Sequence, residues 1–238
     1  MEQTIQAKYP NARGARQRGQ SLPEFLIVVP VFIFLVLLIF QLVLVYRAKT
    51  TLDYATLMAA RAGAVGNAKI DEMKNGLARG LTPLYATETG VAGLTEAFIK
   101  AKLDMIPNAQ IDIISPTKAS WNEFKEKQYD GREALPNDNL AFRDHEIGAS
   151  GVSVQDANIL KIRVTYDYPL IVPFVDQVMR GKSDYVKSSG FLDPGNVDMK
   201  SPWASGPILN HHFRIPLESY AIVRMQTPIY ESELKDLP

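Results

Sequence analysis

The chain has 238 residues, no cysteine, and 26 basic against 26 acidic side chains, for a formal net charge of zero. Neutrality argues against a nucleic-acid binder, which carries a basic patch or a high isoelectric point. The missing thiol excludes disulfides, cysteine-ligated metals and cysteine nucleophiles, and the length allows one ordinary domain plus an accessory segment.

The first element is a basic leader. Lys8, Arg13, Arg16 and Arg18 stand against a single acid, Glu2, before the apolar run begins. From Phe25 to Tyr46 the only polar side chain is Gln41. As a helix this run spans about 33 Å at 1.5 Å per residue, enough for a hydrocarbon core of about 30 Å. It is longer than the roughly 7–15 residues of a secretory signal's apolar region. It ends in Tyr46-Arg47-Ala48-Lys49, a poor cleavage site of that type. A retained single-pass anchor is expected. The positive-inside rule puts the leader in the cytoplasm and translocates the rest, with Arg47 and Lys49 as the opposing charges on the far flank.

The junction Gly19-Gln20-Ser21-Leu22-Pro23-Glu24-Phe25 sets a carboxylate at the mouth of that run, five positions after a glycine. With the following Leu26 to Val31 and its Pro30, the junction resembles a TadE-like pseudopilin of the tight-adherence (Flp-type) pilus system. The resemblance implies cleavage between Gly19 and Gln20 by a dedicated prepilin peptidase, with Glu24 as the fifth residue of the mature chain. There is a physical use for Glu24. Cleavage creates an α-ammonium on Gln20 at the membrane boundary, and an opposite charge offsets much of the cost of placing it there. In a helix bundle Glu24, next to Phe25, can meet the terminal amine of a neighbouring subunit and fix its axial register. Pro23 falls where helical N–H groups have no partner anyway. Pro30 lies inside the helix, removes a bond to the Leu26 carbonyl and is expected to kink it.

Past the membrane the helical pattern continues as a stem. Ala48, Leu52, Ala55, Ala59, Ala62 and Gly66 recur at alternating spacings of four and three, a seam of small residues. Such a seam suits close helix–helix approach between subunits, and it equally suits packing on the protein's own sheet. The stretch Ala59 to Ala64 is again TadE-like. Gln41 is a candidate for hydrogen bonding across helices.

Residues 67–107 read as further helix, interrupted by Gly76, Gly80, Pro83, Gly90 and Gly93, with Leu94, Phe98, Ala101 and Met105 on one face before Pro107. Strands follow at 111–114, at 160–168 and at 219–226. The second is the cleanest: Leu160, Ile162, Val164, Tyr166 and Tyr168 alternate with polar residues. Helices first and strands later predict an α+β fold, with a long N-terminal transmembrane helix packed through its stem on a small antiparallel sheet, as in pilins. The expected organisation is a leader over 1–19, a transmembrane helix over 20–46, a helical stem and following helix over 47–107, and an extracytoplasmic domain over 108–238. Residues 115–158 and 181–212 read as long surface loops, candidates for contacts with other pilus components.

The catalytic inventory is thin. His211 and His212 are adjacent and lack a nearby third ligand, so a solvated pair is the simpler reading than a metal site. Asp144-His145-Glu146 reads first as a charged loop, and Asp138 with Asn139 lacks the calcium-loop spacing. Arg47 to Thr51 lacks the glycines of a phosphate loop, and no nucleophile elbow occurs. No enzyme activity, metal, cofactor, nucleic acid or small-molecule substrate is expected. The favoured reading is a minor pseudopilin, too long for the family's short major pilin, whose partners are the membrane, a prepilin peptidase and other pilins and assembly components. It would sit in a bacterial inner membrane and enter a pilus used for adhesion. The alternative is an uncleaved, membrane-anchored periplasmic scaffold or binding protein. A third reading is an anchored hydrolase working through Asp144 and His145.

Overall fold

The computed structural model of the chain describes residues 21–172, 175 and 214–232. Three helices come first. Helix α1 (Ser21–Val65) is a 45-residue rod that continues through Pro30, about 67 Å long at 1.5 Å per residue. Helices α2 (Ile70–Tyr85) and α3 (Val91–Asn108) follow. Then come β1 (Ala109–Ser115), α4 (Lys118–Phe124), β2 (Glu126–Lys127), β3 (Glu133–Leu135) and α5 (Val154–Ala157), and last β4 (Ile159–Pro169), β5 (Arg214–Arg224) and β6 (Ile229–Tyr230).

A left-handed turn ends α1. Asn67 and Ala68 have φ of 59° and 60°, and the Ala68 N–H donates to the Gly63 carbonyl at 2.9 Å. Residues in this conformation commonly terminate helices, and Asn tolerates it better than most. The turn is held from outside. The Asn67 N–H donates to Thr227 Oγ1 at 2.9 Å and its Nδ2 to the Pro228 carbonyl at 2.7 Å, while the Gln226 N–H donates to the Ala64 carbonyl at 2.9 Å.

The turn sends α2 back antiparallel to α1, and the approach is close because glycine faces alanine. A Cβ at Gly80 would lie 2.3 Å from Ala55 Cα, and one at Gly76 would lie 2.8 Å from the Met58 carbonyl oxygen. Gly76, Gly80 and Pro83, read from the sequence as interruptions, therefore lie inside one continuous helix. Gly90 is the N-cap of α3, and that helix runs through Pro107 to Asn108.

The main sheet is antiparallel with strand order β1-β4-β5. The expected inward face of β4, Leu160, Ile162, Val164, Tyr166 and Tyr168, is buried throughout. On β5, Ser219, Ala221 and the following Met225 are buried and Val223 is half-buried. These residues and the stem of α1 form one core with Met73, Leu77 and Leu81 of α2. Helices on one face of a small antiparallel sheet make the chain α+β, as its element order implied.

Residues 115–158, expected to be a surface loop, are instead folded. They contain α4, α5 and two short strands, which join β6 in a second antiparallel sheet of order β2-β3-β6. Trp121 anchors this part, fully buried, with Nε1 donating to the Ile229 carbonyl at 2.8 Å. Leu135 and Leu140 are buried with it. The other expected loop, 181–212, lies outside the described residues, as do His211 and His212.

A polar cluster sits inside the apolar core where α2, α3, β4 and β5 converge. Asp104 is fully buried. Its carboxylate accepts from the Tyr166 hydroxyl at 2.5 Å, from Asn108 Nδ2 at 2.8 Å, from Arg214 Nη2 at 3.0 Å and from the Tyr85 hydroxyl. Arg214 Nη1 also donates to the Asp167 carbonyl at 2.7 Å. Burial pushes the Tyr85 and Tyr166 phenols far above their ordinary value of 10.0, and negative charge shared across the cluster adds to the effect. A buried carboxylate is tolerated because its oxygens meet four donors, one of them cationic.

Candidate membrane and assembly interface

The lower part of α1 carries the chain's one long apolar surface among the described residues. From Glu24 to Phe40 every side chain is exposed or half-exposed, with Phe25 64% and Ile27 71% accessible. Among the described residues, nothing of the chain covers the helix here. Its length and composition suit a membrane crossing. It is one such helix among the described residues, as in a single-pass membrane protein.

Glu24 is exposed at the start of that surface, in the first turn of α1, where a carboxylate also complements the positive end of the helix dipole. Pro23 falls in the same turn, and Pro30 is exposed on the bare part. Gly19 and Gln20 lie outside the described residues, as does the leader.

Gln41 joins the helix to the globular domain. It is fully buried, and its Oε1 accepts from the backbone N–H groups of Ile171 at 3.2 Å and Val172 at 2.9 Å. Gln41 is a candidate for hydrogen bonding across helices; its oxygen is occupied by a turn of its own chain. The Nε2 has no partner among the described residues.

Above Tyr46 the small-residue seam is covered from within. Ala48, Leu52, Ala55 and Ala59 are fully buried, and Ala62 and Gly66 are half-buried. The seam faces α2 and the sheet, which is the second of the two uses the spacing allowed. The opposite face of the stem is open, with Tyr46 72%, Tyr54 55% and Val65 63% accessible. Charged residues begin at Arg47. Lys49 pairs with Asp53 one turn on, and Asp53 Oδ1 accepts from Ser219 Oγ at 2.7 Å, tying stem to sheet.

The residues considered for catalysis lie elsewhere. Asp144, His145 and Glu146 are exposed, and the Glu146 N–H donates to Asp144 Oδ1 at 3.2 Å, a turn closing on itself. Asp138 Oδ1 pairs with Arg143 Nη2 at 3.3 Å. Among the described residues no group of three or more acidic or histidine side chains gathers as a metal would require.

Two features escaped the sequence reading. The Asp104 cluster joins residues up to 110 positions apart, and no local pattern announces it. Gly76 and Gly80, by contrast, have the small-xxx-small spacing that faces an alanine seam, a signal that was present.

Residues 19–61 match the family model described as TadE-like protein. No curated protein and no solved structure matches the chain. The N-terminal segment is thus TadE-like, which points to a protein associated with a Tad pilus system.

Proposed function

We propose, from the TadE-like character of residues 19–61, that the chain is a minor pseudopilin of a Tad/Flp-type pilus used for adhesion. The observation that carries the reading is the bare apolar helix that opens on an exposed carboxylate, Glu24, and that no other described residue covers over its first turns. A prepilin peptidase cleaves between Gly19 and Gln20. The new Gln20 ammonium of one subunit is neutralised by Glu24 of its neighbour, and Phe25 and the residues beyond enter a helix bundle. The N-terminus faces the cytoplasm and the α+β domain lies outside the inner membrane. The role is structural rather than enzymatic.

The test has two parts. The mass of the protein extracted from membranes, with and without the prepilin peptidase, reports loss of residues 1–19; an intact leader in both strains favours the uncleaved scaffold. Glu24→Ala should then leave insertion and cleavage intact and abolish co-purification with the other pilins. Undiminished co-purification of that variant would remove the register role.

A further inference from the structure

We infer that the turn at Pro169–Val172 is a second membrane-contacting element, seated in the outer edge of the bilayer against α1. Its partner is the lipid itself. The inference rests on the reading of α1 as a membrane span.

Glu24 and Gln41 are 17 residues apart, about 26 Å of rise, while a hydrocarbon core is about 30 Å thick. If the carboxylate of Glu24 stays at one boundary, the other boundary falls beyond Gln41, near Leu44. Helix tilt shortens the vertical reach of each residue and moves that boundary further towards Arg47. The first charged side chains after the span are Arg47 and Lys49, and such residues extend to the headgroups. Gln41 lies six positions on the lipid side of Arg47, about 9 Å. The turn that hydrogen-bonds to Gln41 is therefore drawn below the charged ring.

The turn's own chemistry fits that depth. Pro169-Leu170-Ile171-Val172 has no polar side chain, and the sequence continues with Pro173 and Phe174. Leu170 is buried, while Ile171 is 51% accessible. Backbone is tolerated at membrane depth only when its polar groups are satisfied internally. Proline has no N–H to satisfy. The N–H groups of Ile171 and Val172 both go to Gln41 Oε1, and Leu170 also has an interaction partner. A fully buried glutamine, otherwise an odd residue in an apolar run, thus satisfies two N–H groups of this non-helical backbone at that level.

The absence of native cysteine makes the test direct. Single substitutions Ile171→Cys, Phe32→Cys and Tyr129→Cys are labelled with an environment-sensitive fluorophore in the full chain. The protein is reconstituted in phosphatidylcholine–phosphatidylglycerol vesicles, and quenching by aqueous iodide is compared with quenching by lipid-borne nitroxide. Phe32 samples the middle of the span, and Tyr129 is fully accessible on the domain. The expected result is several-fold weaker iodide quenching at position 171 than at 129, with strong quenching by a nitroxide near the headgroups. Adding Gln41→Leu should raise iodide quenching at 171 towards that at 129 and leave 32 unchanged. Iodide access at 171 equal to that at 129, with 32 still in lipid, overturns the inference alone. Iodide access at 32 as well overturns the membrane span and the inference with it. Shielding at 171 that survives Gln41→Leu overturns the role given to the carboxamide.

Discussion

Asp104 is the residue at which α2, α3, β4 and β5 meet, and its environment defines what a substitution nearby will do. Its carboxylate is fully buried and receives two phenols, an amide and a guanidinium. Replacing Arg214 by Met leaves the carboxylate without its cation. Breaking a buried pair from one side typically costs about 3–5 kcal/mol, because the remaining charge has lost its compensation. Arg214→Met should therefore lower the urea midpoint of the detergent-solubilised chain by an amount equivalent to about 3 kcal/mol. Arg214→Lys should recover only part of it, since an ammonium lacks the fork that reaches both Asp104 and the Asp167 carbonyl. A midpoint unchanged by Arg214→Met would mean that the pair holds nothing together.

The pairing of α1 with α2 depends on absent side chains. Gly80→Ala adds about 1 kcal/mol of helix propensity, but the new methyl would meet the backbone of Ala55 at 2.3 Å. Backbone cannot rotate aside as a flexible side chain can, so the clash outweighs the propensity. A net destabilisation of about 1–2 kcal/mol is expected, read as a lower midpoint in thermal circular dichroism. A variant more stable than the native chain would show that the two helices can separate at little cost. The same helix illustrates what could be read beforehand. Propensity alone marks Gly76 and Gly80 as breakers; close packing overrides it. Strand β4 was legible because its period-two pattern runs long enough to distinguish it from a helix, and α1 because its apolar run is longer than any soluble core requires. The segment 115–158 was not. Its elements are a few residues each, and its buried Trp121 and Leu135 are organised by β6, which lies far along the chain. The seam's spacing was legible, but whether a neighbour or α2 would occupy it was not, because small residues serve both.

At the level of the whole molecule, the buried phenols tie stability to pH. Tyr85 and Tyr166 titrate above their ordinary value of 10.0 when folded, so the native state holds protons that the unfolded chain releases. Their contribution is complete below pH 10 and declines as the pH rises past it. Unfolding monitored against pH should show a loss of stability beginning near that point, and Tyr85→Phe should make the decline shallower. An alkaline limb unchanged by that substitution would separate the cluster from the pH response.

Covering the stem's alanines also has a consequence for how copies of this chain can stand together. Below Gln41 the described side chains of the rod are exposed or half-exposed, so neighbouring rods can gather there at the distance set by their own side chains. Above Tyr46 each rod already wears α2 and a sheet, and what it offers outward is Tyr54, Arg61 and Val65 rather than the alanine seam. In the proposed pilus such subunits would stand tight at the foot and splayed at the shoulders, like stalks bound low in a sheaf.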